Sequence, residues 1–446
     1  MIMEKDIGRR PRRHFYYGWV IVAVALISMA FWFGFRSIFS VFLVALVDDF
    51  GWGRAEISGV QSVAMVCYIM AAPLAGGLVD RFGPRRVILP GIILVAAGLA
   101  LSSTIQVLLQ YYLFYGVLGG VSVAFISLAA YTAIIPHWFK KRRGTASGIA
   151  ASGMGLGIML FPPLTQAIIS DWGWRSGFLV MGVLTAVILL PLNGFLLRHK
   201  PMDMGYAGSD GRMEPDEGMT DLTDHAVRQS DDEFQWTLGA AVRTINFWAL
   251  MIFPMFIMIG VYMVLTHFVG FLVNQGLNKM MAASAFGMIG LTSTFFRIVW
   301  GLVSDRIGRE RSFSLGMFFF CISFYCLVRF QAGGDLWLVY LFVILLGVGW
   351  GSTAPIFMAS AADLFYGPAI GTIYGLLEGS VGIGGAFGSW IGGYVFDQTG
   401  SYQSAFGVAV LAAALAGIMV WVAAPGKGRA LKERVAAKEG IPHPRR

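Results

Sequence analysis

The chain has 446 residues, of which 57% are hydrophobic and only 13% charged, and its mean hydropathy is +0.69. A soluble globule carries about 25% charged residues, so this composition excludes a set of soluble domains and identifies an all-α membrane protein. The net charge of +8 does not point to nucleic acid: the basic residues fall in short clusters between apolar runs, where they set membrane orientation. The three cysteines, Cys67, Cys321 and Cys326, lie inside apolar segments and imply neither a disulfide framework nor a metal site.

In chain order, Arg9, Arg10, Arg12 and Arg13 run straight into a long apolar span without a cleavage site, the pattern of a retained first helix rather than a signal peptide. A crossing helix needs roughly 20 apolar residues. Such runs occur near 16–46, 56–79, 87–106, 109–136, 144–169, 177–197, 244–274, 281–303, 312–331, 336–361, 370–396 and 403–424, here numbered spans 1 to 12. They divide the chain into a six-helix half (1–197), a linker (198–243), a second six-helix half (244–424) and a tail (425–446). The linker is acidic, with Asp210, Glu214, Asp216, Glu217, Asp221, Asp224, Asp231, Asp232 and Glu233, and reads as a flexible or partly helical segment outside the membrane. With both termini in the cytoplasm, the clusters Arg81/Arg85/Arg86, Lys140–Arg143, Arg306/Arg309/Arg311, the linker and the tail share one side. The opposite loops keep little more than Arg54, Arg175 and Lys279, with Arg329 near a helix end, as the positive-inside rule requires.

The halves repeat each other. Gly76-Gly77-Leu78-Val79-Asp80-Arg81-Phe82-Gly83 follows span 2, and Gly301-Leu302-Val303-Ser304-Asp305-Arg306-Ile307-Gly308 follows span 8, about 225 residues further on. A second pair at nearly the same offset joins Gly144-Thr145-Ala146-Ser147-Gly148 to Gly371-Thr372-Ile373-Tyr374-Gly375. In the G-x-x-x-D-R-x-G turn, glycine permits a tight connection and close helix approach. The acid suits a neighbouring helix N-terminus, and the arginines stay at the surface. An ordinary charged turn explains one copy but not two. The pattern resembles the loop between helices 2 and 3 of the major facilitator superfamily: Gly76, Asp80, Arg81, Gly83, Arg85 and Arg86 match it, and Gly301, Asp305, Arg306, Gly308 and Arg309 form the second copy. Pro84 stands where a basic residue is common. The resemblance implies twelve helices in two pseudo-symmetric halves and a motif that governs conformational change.

Ionisable residues at membrane depth usually mark a site or pathway. Arg36 in span 1 precedes Asp48 by a dozen residues, roughly 18 Å of helix, which is longer than an arginine's reach; snorkelling toward the outer headgroups is its structural reading. Arg297 in span 8 lies eight residues before Asp305, roughly 12 Å from the basic end, and Glu378 in span 11 is at a comparable depth. His267 sits near the far end of span 7. The interiors of spans 3, 6, 9 and 12 carry no charge, and the superfamily resemblance makes those four the lipid-facing helices. Each charge has a structural reading: Arg297 can tie helices together through carbonyls or Glu378, Glu378 can be its partner, and His267 can be an interfacial hydrogen-bonding residue. The functional reading is that a guanidinium, always charged and shaped as a fork for carboxylates, replaces the hydration of an organic anion. Small and aromatic neighbours, Ser293, Tyr115 and Tyr374 among them, would receive the rest of the molecule.

Phe15-Tyr16-Tyr17-Gly18-Trp19-Val20, Phe50-Gly51-Trp52-Gly53-Arg54-Ala55, Trp138-Phe139 with its four basic residues and Gly144-Thr145-Ala146-Ser147-Gly148, and Arg297-x-x-x-Gly301-x-x-x-Asp305 resemble the monocarboxylate transporter family and its bacterial relatives. By that resemblance Arg297 holds the substrate carboxylate, and Arg36-Ser37-Ile38 stands where eukaryotic members have a functional lysine-serine-isoleucine stretch. Two departures matter. Ser293 occupies a position where eukaryotic members carry aspartate, and an arginine does not release a proton as lysine does. Glu378 is then the candidate for the missing acid, with Asp305 and His267 as further proton-coupling candidates. The related oxalate–formate exchangers carry a lysine in span 11 where this chain has Val381, which argues against that exchange.

The sequence therefore predicts a secondary transporter of small organic monocarboxylates, coupled to protons and working as a monomer. It is placed as a multi-pass protein of a bacterial-type inner membrane, with small organic anions, protons and lipid as partners. It is not an enzyme, needs no cofactor or metal and binds no nucleic acid; no phosphate loop points to ATP. The alternatives are an exporter or exchanger of larger organic anions or drugs, and a membrane sensor that has lost transport.

Overall fold

A computed structural model describes residues 16–127, 131, 134–139, 143–198, 235–330, 334–365, 370–428, 430, 431 and 435. Most of the acidic linker, Lys140 to Arg142 and the end of the tail, all read from the sequence above, lie outside the described residues. Every regular element among the described residues is helical. Among the described residues, ten apolar runs are long enough to cross a membrane. One of them, Ala146–Leu196, contains two spans: at Gly173 (φ 78°) the chain leaves helical geometry, and Gly177 then lies back against Ile169. Ile370–Thr399 is a further 30-residue helix. The fold is thus the twelve-helix one.

Span 1 is Gly18–Ser37 continued by Phe39–Phe50. Span 2 is Arg54–Phe82, span 7 Ile245–Asn274, span 8 Lys279–Ile307 and span 12 Gln403–Ala423. Span 10 comprises Trp337–Gly351 and Thr353–Phe365, joined through Ser352, which keeps helical angles (φ −70°, ψ −25°). Span 4 is broken among the described residues: helix Gly120–Phe125 stops where Ile126 (φ −109°, ψ 19°) leaves the helical region, and Ile135–Trp138 is helical again.

The duplication is visible in the packing. In span 5, a Cβ on Gly153 or Gly157 would strike the carbonyl oxygens of Leu26 and Ala30 in span 1. In span 11, a Cβ on Gly384 or Gly388 would strike those of Met255 and Ile259 in span 7. Each half therefore joins its first and fifth helices through a small-x-x-x-small stripe that lets the backbones touch. The repeated turns also match: Gly83 (φ 83°, ψ 153°) and Gly308 (φ 93°, ψ 158°) share one conformation that only glycine adopts readily. Close helix approach at the first motif glycine is not seen, since nothing lies within 4 Å of the Cβ position of Gly76 or Gly301.

The seam between the halves is closed at one end. At the face opposite the basic loops, Lys279 pairs with Asp48, and Arg54 inserts between spans 7, 11 and 12. Contact continues inward to Gly382 against Ile69 and Gly155 against Gly290 and Thr294. Beyond that depth the halves part. Gly148, Gly301 and Gly375 meet nothing within 4 Å, and Met70 and Leu74 of span 2 are largely exposed. The cleft therefore opens toward the basic face. Exposed apolar side chains such as Ile93, Val183, Phe318 and Leu411 stud spans 3, 6, 9 and 12, the helices without interior charge.

Candidate functional site

Inward of Arg54, two further guanidinium groups stand in the seam, one from each half. Arg36 is the penultimate residue of the first segment of span 1, Gly18–Ser37, and is 5% exposed. Its carbon Cζ lies 4.2 Å from the ring centre of Trp32, one turn earlier, and 4.4 Å from that of Tyr68 in span 2. A charge at membrane depth costs about 2.5–3.5 kcal/mol on insertion scales. A desolvated cation–π contact returns about 2 kcal/mol, so two aromatic faces make the position tolerable without an anion. The Arg36 atoms Nε and Nη2 are buried and have no hydrogen-bond partner. A narrow gap beside them is lined by Gln61, Met65, Tyr68 and Gly120, and the Oε1 of Gln61 is likewise unpaired.

Arg297 belongs to span 8. Its Cζ lies 5.2 Å from the ring of Trp350 in span 10, and its buried Nε has no partner. Gly351 allows the span 10 backbone to approach within a Cβ–N separation of 3.1 Å of Arg297. The two arginines are linked by aromatic rings: Trp350 sits 6.1 Å from Phe33, and Phe33 is 5.9 Å from the Arg36 guanidinium.

Glu378 adds the anion. Tyr374, one turn before it on span 11, turns its hydroxyl toward the carboxyl, and Arg36 is the cation whose field the carboxyl feels. Tyr68 is close enough to both charges to feel Arg36 and Glu378 together. Span 1, span 2 and span 11 thus bring Arg36, Tyr68, Tyr374 and Glu378 into one polar cluster across the two halves. Such an arrangement can hold an anion between fixed cations, and it can move one proton at the Glu378 carboxyl.

The other sequence-predicted residues fall elsewhere. Ser293 is fully buried, one turn before Arg297, and its Oγ donates to the Gly290 carbonyl at 3.1 Å. Tyr115 packs beneath Arg36, stacked on Phe35 at 4.6 Å, and its hydroxyl donates to the Phe35 carbonyl at 2.6 Å. It supports the helix that carries Arg36 rather than lining the seam. His267 lies apart, near the closed end, with Nε2 bonded to the Ser389 carbonyl at 2.8 Å. Asp305 is at the basic face and pairs at 2.5 Å with Arg309, whose Nε also reaches Asp363 at 3.1 Å. The acid therefore orders a side chain on the next helix instead of capping its backbone. The Asp80 side chain lies outside the described residues; Arg81 and Arg85 are exposed. Trp32, Phe33, Tyr68 and Trp350 were not singled out from sequence. For Trp32, the signal was an aromatic ring four residues before an intramembrane arginine.

A model described as "Major Facilitator Superfamily" matches residues 20–302 and 274–445. Human monocarboxylate transporter 2 is 23% identical over 95% of this chain and 87% of its own length. Rat monocarboxylate transporter 13 is 26% identical over 88% of this chain and 86% of that protein. A major-facilitator-type transporter of Bacillus subtilis is 26% identical over 86% and 90%. Among solved structures, a D-xylose–proton symporter aligns with TM-score 0.68 at 16% identity, covering 91% of this chain and 97% of that one. A bacterial homolog of the human lysosomal transporter Spinster, in an inward-facing and occupied conformation, aligns with TM-score 0.67 at 14% identity, covering 98% and 100%. These relatives and neighbours are transporters, not enzymes. A multi-pass membrane fold with an open seam between duplicated halves, a repeated glycine turn and this family match lead to one conclusion: the chain belongs to the Major Facilitator Superfamily and is a membrane transporter related to the monocarboxylate transporters.

Proposed function

We propose that the protein carries small organic monocarboxylates by proton-coupled alternating access, with Arg297 as the carboxylate anchor. The observation that carries this reading is the unpaired, buried Nε of Arg297 in the seam between the halves. A buried donor of a charged group without a partner costs free energy, and a carboxylate is the partner its planar fork fits. Relatives named as monocarboxylate transporters across most of the chain support the same substrate class.

Glu378 is the proton carrier in this account. While ionised it offsets Arg36, so the cluster of Arg36, Arg297 and Glu378 has one cation in excess and suits a single negative charge. Protonation of Glu378 frees Arg36 to share the incoming anion, which makes proton and anion binding favour each other. The two halves, residues 1–197 and 244–424, then rock about the midplane site, joined by the linker 198–243 and followed by the tail 425–446. The basic loops face the cytoplasm by the positive-inside rule, which makes the open face of the cleft the cytoplasmic one in an inner membrane of the bacterial type. The protein acts as a monomer, since one chain supplies both arginines and the acid.

The test is uptake of labelled lactate, pyruvate and aromatic monocarboxylates into vesicles holding the wild type or Arg297→Ala. Loss of saturable uptake in the variant is the expected result. Unchanged uptake removes Arg297 from the site.

A further inference from the structure

The structure assigns a second functional centre, well away from the two seam arginines. Arg54 is a positioning residue that holds the halves shut at the face opposite the basic loops. Arg54 is the first residue of span 2, in the first half, yet its bonds are made in the second half. Its Nη1 donates to the Tyr402 hydroxyl at 2.5 Å and its Nη2 to the Asn274 Oδ1 at 2.9 Å. Its Cζ lies 4.0 Å from the Phe396 ring centre. The backbone does the same work: the N–H groups of Arg54 and Ala55 donate to the Asp397 carboxylate at 3.0 and 2.7 Å. The open N-terminal donors of span 2 are therefore capped by an acid from the other half.

The seat is shaped for this. A Cβ on Gly393 would lie 2.7 Å from the Arg54 carbonyl, and one on Gly270 would lie 3.1 Å from Nη1. Tyr402 extends the network inward: its hydroxyl lies 3.3 Å from His267 Nδ1, and the Ser389 carbonyl accepting from Nε2 leaves Nδ1 free to accept from tyrosine. His267, Tyr402 and Asp397 are thereby given a shared role in closure.

The duplication supports the assignment. Span 8 also begins with a basic residue that crosses the seam, Lys279 to Asp48 at 2.6 Å. That pair is about half exposed on both sides, and such pairs contribute little. Arg54 has aromatic cover, two side-chain acceptors and an acid on its helix terminus, so it is the stronger of the two latches. Two of the basic residues that break the charge asymmetry of this face are thus the ones that bridge the halves.

The test uses full-length protein in which Cys67, Cys321 and Cys326 are replaced by serine and spin labels are placed at Thr104→Cys and Gln403→Cys, exposed positions of the two halves. Distances between the labels are measured together with the melting temperature. Arg54→Ala is expected to raise the population of the long-distance state about fivefold or more, the range of ordinary coupling energies. Asp397→Asn, which keeps the side-chain shape, is expected to shift it in the same direction, and Lys279→Ala much less. A fall in melting temperature with an unchanged distance distribution in both Arg54→Ala and Asp397→Asn overturns the proposal. So does opening by Lys279→Ala alone. If Arg54→Ala does not fold, Arg54→Lys and Asp397→Asn decide it by the same readout. The outcome does not depend on which substrate is carried.

Discussion

Phe33 and Trp350 meet across the seam with ring centroids 6.1 Å apart, and each has a guanidinium near its ring, Arg36 at 5.9 Å and Arg297 at 5.2 Å. One ring and one cation come from each half. Any motion that parts the halves separates the rings and widens the space between the cations, so access and charge separation change together.

Arg297→Lys keeps the charge but loses the planar fork. Transport is expected to persist with KM raised, while Arg297→Ala loses roughly 2–5 kcal/mol of anion binding. Initial uptake rates against substrate concentration distinguish the two; equal KM for lysine and arginine would mean that charge alone matters.

Glu378→Gln removes the titrating group and keeps the shape. Proton-driven accumulation is expected to vanish while exchange of labelled for unlabelled substrate continues. Accumulation that survives in the variant would leave Glu378 with a structural role only.

Ser293 lies one turn before Arg297, within reach of an ion pair at that spacing. Ser293→Asp is therefore expected to compete with substrate for Arg297 and raise KM at neutral pH. Lowering the pH protonates the new acid, whose ordinary value is about 3.9, so apparent affinity recovers on acidification. A KM that is unaffected at neutral pH would separate position 293 from the arginine.

Gly388 touches the Ile259 carbonyl, whereas Gly375 has nothing within 4 Å. Gly388→Val is expected to lower stability by roughly 1–3 kcal/mol through overpacking, and Gly375→Ala to be neutral or stabilising. Thermal unfolding in detergent checks both; equal losses would contradict the role given to the glycine stripe.

The sequence made the membrane fold legible through long-range regularities: twelve apolar runs, charge on one set of loops and a motif repeated at one offset. Gly83 and Gly308 show why the motif could be read, since a left-handed turn demands glycine wherever it occurs. Arg36, Arg297 and Glu378 were legible because a charge at membrane depth is conspicuous against its apolar surroundings. Their neighbours were not. Tyr68 and Trp350 are aromatic residues among many, and only the crossing of spans brings them to the arginines. Tyr115 has the chemistry for an anion site, but its hydroxyl is bonded to the Phe35 carbonyl. Arg54 looked like a residual loop charge, because its acceptors, Asn274, Asp397 and Tyr402, lie more than 200 positions away in the chain.

The most direct test of the carboxylate account is the melting temperature of the purified protein titrated with monocarboxylates, since a ligand stabilises the state it binds. The account predicts a saturable, concentration-dependent rise for the wild type that disappears in Arg297→Ala and is absent with the corresponding amides. An equal rise in Arg297→Ala, or an equal rise with amides, would contradict it.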